Sequence, residues 1–91
     1  MKSRWITYDS SIQLKRARAY ITLDNKKAAV QILNNIINNT KLERDKGDAF
    51  LLRGDISHKL NDIENACNDW KKSKLFGELV AEEKLIKFCP D

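Results

Sequence analysis

With 91 residues, 42% hydrophobic and 33% charged, the chain holds one compact domain and has no room for a second. Only 3 Gly and 1 Pro exclude a collagen-like or turn-rich β architecture, and the apolar content excludes disorder. The net charge of +4 invites a nucleic-acid reading, but Lys15/Arg16/Arg18, Lys26/Lys27, Lys41/Arg44/Lys46 and Lys71/Lys72/Lys74 are spread along every segment, as on a solvated helical surface, so a nucleic-acid partner is not expected.

Taken in chain order, residues 10–23 place Ile12, Ala17, Tyr20 and Ile21 at helical spacing, with Asp9, Ser10 and Ser11 as candidate N-caps. Leu23-Asp24-Asn25 interrupts that pattern, because Asp and Asn compete for the backbone and favour caps and turns. From Lys26 the pattern restarts as the clearest amphipathic element, with Ala28, Ala29, Ile32, Leu33, Ile36 and Ile37 on one broad apolar face. It fades at Asn38-Asn39-Thr40, and the charged stretch 41–48 either forms a loop or starts the next helix. Ala49, Leu52, Gly54, Ile56 and Leu60 continue a helical stripe. Asn61 followed by Glu64 has the layout of a capping box for a fourth helix carrying Ile63, Ala66, Cys67 and Trp70. That helix ends near Phe76-Gly77, where Gly suits a left-handed cap, and residues 78–88 form a last helix closed by Pro90. No stretch approaches the ~20 apolar residues of a membrane span, and MKSRWITYDSS lacks the apolar core of a secretion signal, so a soluble chain is expected.

Sliding the chain on itself reveals an ordered set of matches at an offset of 37 residues. Arg16-Ala17 falls on Arg53-Gly54, Leu23 on Leu60, Asn25 on Asp62, Ala29 on Ala66, Leu33 on Trp70 and Ile36 on Ser73. Each match has a packing reason: a small residue where two helices cross, a turn pair, a second small residue opposite, and a bulky plug. On these residues the sequence resembles the tetratricopeptide repeat family. Ala17, Tyr20, Ala29 and Leu33 are similar to the family's small–aromatic–Ala–bulky set in the first copy, as are Phe50, Gly54, Ala66 and Trp70 in the second. Two positions depart from the pattern, Ser57 for the aromatic and Ser73 for Ala. The offset also exceeds the family's ~34 residues, which implies about three extra residues in the connection 38–48.

The resemblance implies an all-α fold of antiparallel helical hairpins, a superhelix of about five helices. Residues 1–9 form an N-terminal extension and 10–91 one domain: repeat one about 10–40, repeat two about 46–77, closing helix 78–89. It further implies a protein-interaction module, an adaptor or scaffold, that lays a peptide or partner protein along the first helix of each hairpin. Carried over residue by residue, the groove positions are Leu14, Arg18, Ile21 and Thr22 in the first copy and Leu51, Asp55, His58 and Lys59 in the second. Leu14 and Leu51 supply apolar contact there, while Arg18 and Lys59 meet acidic or carboxylate groups. The Lys-and-Asn clamp with which some members bind chaperone tails is not reproduced. Trp5, Tyr8 and Phe76 are candidate anchors for another subunit, with Trp5 packing under the first helix as a staple the other reading of that residue, and self-association of an open repeat end into a homodimer is the alternative function.

Chemistry-bearing motifs are sparse. There is no Gly-rich phosphate loop, no Ser/His/Asp arrangement and no metal-spaced His motif, so no enzymatic activity and no cofactor is expected. His58, at a helix end, reads as a surface residue that complements the dipole. Two cysteines and one histidine fall short of a four-ligand zinc site, so no metal is expected. Cys67 and Cys89 lie about ten residues either side of the Phe76-Gly77 corner and reach the same level, so a disulfide and two free thiols both remain open. Reduced thiols imply a cytoplasmic protein, and a disulfide a periplasmic or secreted one.

Overall fold

Local chemistry sets the helices. In the computed structural model, which describes residues 8–90, they are α1 (Ser10–Thr22), α2 (Lys26–Asn39), α3 (Glu43–Lys59), α4 (Ile63–Leu75) and α5 (Leu79–Phe88), and no strand occurs among the described residues. The protein is all-α. Trp5 and most of the N-terminal extension lie outside the described residues. Asp9 caps α1: its carboxylate accepts the backbone N–H groups of Ser11 at 3.1 Å and Ile12 at 3.3 Å, and the Ser11 hydroxyl at 2.9 Å. Those bonds hold the Asp9 carboxyl below the ordinary carboxylate range, the Ser11 hydroxyl contributing most.

Two helix connections repeat one another closely at the 37-residue offset. Leu23 and Leu60 end their helices, Asp24 and Asn61 turn into the left-handed region at φ 61° and 64°, and Asn25 and Asp62 cap the next helix. The Asn25 and Asp62 N–H groups each donate back to a carbonyl five residues earlier, Tyr20 and Ser57, at 2.8 Å. Short polar side chains tolerate positive φ, which is why Asp and Asn stand where glycine is usual in this helix ending. The cap of α4 is therefore Asp62, bonded to the Asn65 N–H at 3.3 Å; Asn61 belongs to the preceding turn and does not head a capping box. Gly77, at φ 94°, makes the corresponding turn between α4 and α5.

The extra residues predicted for the connection 38–48 do not lengthen a loop. The link between α2 and α3 is only 40–42, and α3, at 17 residues, absorbs the charged stretch from Glu43 as added helix. A buried polar chain makes so tight a connection tenable. The Thr40 hydroxyl donates to Ser10 Oγ at 3.0 Å, and the Ser10 hydroxyl donates to the Asp45 carboxylate. All three residues are buried, so the start of α1, the end of α2 and the start of α3 are tied together by satisfied groups.

Packing then runs along the chain: α1 on α2, α2 on α3, α3 on α4 and α4 on α5, with α1 also reaching α3. The result is a slab with principal extents of 51 × 27 × 16 Å. Of the repeat-matched residues, those at the helix crossings are buried, whereas Leu23 and Leu60 at the turns are 74% and 62% exposed. Ala17, Ala29, Leu33 and Ile36 gather with Leu14, Ala49 and Ile56 in one cluster, and Ala66, Trp70 and Ala81 with half-buried Leu85 and Phe88 in a second. The two hairpins solve the same crossing differently, with Ala17 facing the bulk of Leu33 in one and Gly54 making room for the larger Trp70 in the other. A Cβ on Gly54 would stand 2.7 Å from Trp70 Cδ1. Arg53 spans three helices, donating bidentately to Asp69 on α4 at 2.8 and 2.9 Å and to Asn34 on α2 at 2.7 Å. The Asp69 bond holds the Arg53 guanidinium above its ordinary pKa.

Candidate functional site

Because alternate helices lie side by side, α1, α3 and α5 present one shared face. A cavity of about 210 Å³ opens on it, lined by Ile21 from α1, Leu52, Asp55, Ile56, His58 and Lys59 from α3, and Lys84 from α5. Its floor is aliphatic and its rim charged. Asp55 is held from two sides, accepting a hydrogen bond from Trp70 Nε1 at 3.1 Å and forming an ion pair with the Lys84 ammonium at 3.1 Å. His58 is half-buried, with its ring 4.3 Å from that of Phe88 and 5.6 Å from that of Trp70. It lies in the last turn of α3 but is not the surface residue expected, because it packs as an aromatic between α3 and α5.

Further toward the start of α5 the same face gathers Arg18, Asp48 and Glu78. The carboxyl of Glu78 hydrogen-bonds to that of Asp48 and is partly desolvated, which pushes its pKa up to about 7; Arg18 and the Val80 N–H pull the other way. The two neighbouring carboxyls beside a guanidinium form a charge-mixed patch next to the aliphatic cavity.

Of the eight groove positions, Ile21, Asp55, His58 and Lys59 meet in this cavity, and Arg18 lies on the same face beside it. Leu14 does not: at 3% exposure it belongs to the first core cluster, because its place on α1 points it between α2 and α3. Leu51 is also turned inward, half-buried against the second core beneath α5. Thr22 is exposed and its hydroxyl donates back to the Arg18 carbonyl at 3.1 Å, which occupies it within its own helix. Phe76 is no free anchor: it is half-buried and stacks on Phe50 at 6.0 Å with the rings 6° from parallel. Tyr8 is 40% exposed.

Sequence reasoning missed Lys84, Leu52, Ile56, Asp48 and Glu78. The signal available for Lys84 was its spacing of three and four residues from Ala81 and Phe88, which places it at the border of the buried stripe of α5. Cys67 and Cys89 form a disulfide with Cα atoms 5.9 Å apart, joining the middle of α4 to the end of α5. A broader groove of about 980 Å³ lies between α4 and α5, with Lys71, Leu75, Leu85, Ile86 and Cys89 among its walls. Among the described residues no cluster of His, Cys, Asp and Glu is placed to hold a metal ion, and no helix is long and apolar enough to cross a membrane. No family model, curated protein or solved structure matches the chain.

Proposed function

We propose that this protein is a non-catalytic protein-interaction module of tetratricopeptide-like build, which holds a peptide segment of a partner protein across the face shared by α1, α3 and α5. The observation that carries this reading is the cavity of about 210 Å³ with an aliphatic floor of Ile21, Leu52 and Ile56 and a rim of opposite charges at Asp55, Lys59 and Lys84. An aliphatic side chain of the peptide fills the floor, while its carboxylates meet Lys59 and Arg18. Such a rim fixes orientation and register, and the apolar floor supplies most of the affinity.

The test is a panel of peptides with an aliphatic residue flanked by acidic or basic groups, titrated into isotope-labelled protein. The expected result is chemical-shift changes that centre on Ile21, Asp55, His58 and Lys59 for the acidic set, and that vanish in Lys59→Glu. Shifts that map elsewhere, or identical binding by acidic and basic peptides, contradict the proposal.

A further inference from the structure

Helix α5 is held by a small apolar contact, two surface ion pairs and one covalent bond. It is 10 residues long, which in isolation is too short to be stable in water. Ala81 is its one fully buried residue, and Leu79 and Ile86 are 77% and 79% exposed. Its N-cap residue, Glu78, makes no side-chain cap bond. Its two ion pairs, Lys84 with Asp55 at 3.1 Å and Lys74 with Glu82 at 3.4 Å, are partly solvated and screened by salt. What remains is the packing of Ala81, Leu85 and Phe88 against the Ala66/Trp70 core and of Phe88 on His58 at 4.3 Å, and the Phe88 contacts lie at the same end of the helix as the Cys67–Cys89 bond.

That bond is open to attack. Cys89 lines the α4/α5 groove together with Lys71 and Lys74, and Lys71 stands one helical turn after Cys67 on α4. A nearby ammonium stabilises a departing thiolate, the condition that makes a disulfide labile.

We infer that α5 is a redox-latched lid, held down by the Cys67–Cys89 disulfide and released when a dithiol reduces it. The attacking thiolate of the dithiol forms a mixed disulfide at Cys89 Sγ, and the S–S bond to Cys67 breaks with its electron pair leaving on the Cys67 sulfur. The second thiol of the reductant then closes its own disulfide and frees Cys89. In total two electrons and two protons pass to the protein, and the reductant leaves oxidised. Release uncovers Trp70, Leu51 and His58 and takes Lys84 away from Asp55, so the α1/α3/α5 face is dismantled. The inference goes beyond the binding proposal and does not depend on it, because its test follows the helix and not a ligand.

The experiment is hydrogen exchange of the full chain, oxidised and after dithiothreitol, with alkylation mass reporting that both thiols are free. Reduction is expected to cost the α5 amides about tenfold or more in protection while those of α1, α2 and α3 change little. The double variant Cys67→Ser/Cys89→Ser is expected to reproduce the reduced pattern without reductant. Retained α5 protection in the reduced chain overturns the inference. So does loss of protection by all five helices together, which makes the bond a staple of the whole fold, and so does a native disulfide that dithiothreitol cannot reduce.

Discussion

Gly54→Ala is the substitution on which the packing argument bears most directly. In the interior of a solvated helix this change stabilises by about 1 kcal/mol, since alanine is the better helix former. Here the new Cβ stands 2.7 Å from both Trp70 Cδ1 and Nε1 and 3.1 Å from the Ala66 carbonyl oxygen. Trp70 is fully buried, so it can yield only by moving the indole off its bond to Asp55. Overpacking of this kind costs about 1–3 kcal/mol, and weakening the indole hydrogen bond about 1 kcal/mol more. The net expectation is a loss of about 1–3 kcal/mol. Trp70→Leu alone leaves a cavity and costs roughly 2–4 kcal/mol. The double variant, however, rebuilds the Ala-opposite-Leu crossing that the first hairpin already uses at Ala17 and Leu33, and is expected to be more stable than the sum of its parts by roughly 2–3 kcal/mol. Urea unfolding followed by circular dichroism, with the disulfide intact in every variant, reads all four corners of the cycle. Gly54→Ala as stable as the parent, or strictly additive losses, refutes the reading of Gly54 as space reserved for Trp70.

Arg53→Ala is expected to cost about 3–5 kcal/mol, because it leaves the buried Asp69 carboxylate unpaired and removes the tie to Asn34; a loss below about 1 kcal/mol in the same unfolding assay contradicts that role. The Glu78 carboxyl, at about 7 in the folded chain against 4.5 ordinarily, keeps a proton on folding that the unfolded chain releases. Its contribution is therefore fully present below pH 4.5 and is lost as pH rises through about 7, and Glu78→Gln is expected to flatten the stability profile across that window. A profile that keeps its slope in the variant assigns the titration to another group.

How much of this was legible in the sequence differs by element. The five helices and several of their ends are written in local chemistry, although α3 and α5 start at Leu42 and Glu78 without a side-chain cap bond. Asp9 caps α1 because a short carboxylate reaches the first free N–H groups, and Gly77 ends α4 because its φ of 94° costs glycine little. The 37-residue offset placed Ala29, Ala66, Leu33 and Trp70 inside, since small and bulky residues alternate wherever two helices cross closely. Local pattern misled at Asn61, where two adjacent turn formers compete and only the backbone path decides which one caps; Asp62 does.

Leu14 and Leu51 show the limit of the method. Both lie at groove positions of their helices, yet Leu14 is captured by the junction of α1, α2 and α3, and Leu51 by the end of α5 folding back over Trp70. Helical spacing, caps and the repeat are short-range properties, acting through neighbours three or four residues away, so the chain declares them before it folds. Which face α5 covers, that Lys84 meets Asp55, that Glu78 comes beside Asp48 and that Cys67 reaches Cys89 depend on how far each hairpin rotates against the next. That rotation is set by the volumes meeting at the crossings, Gly54 against Trp70 above all, and exists only once the helices have packed.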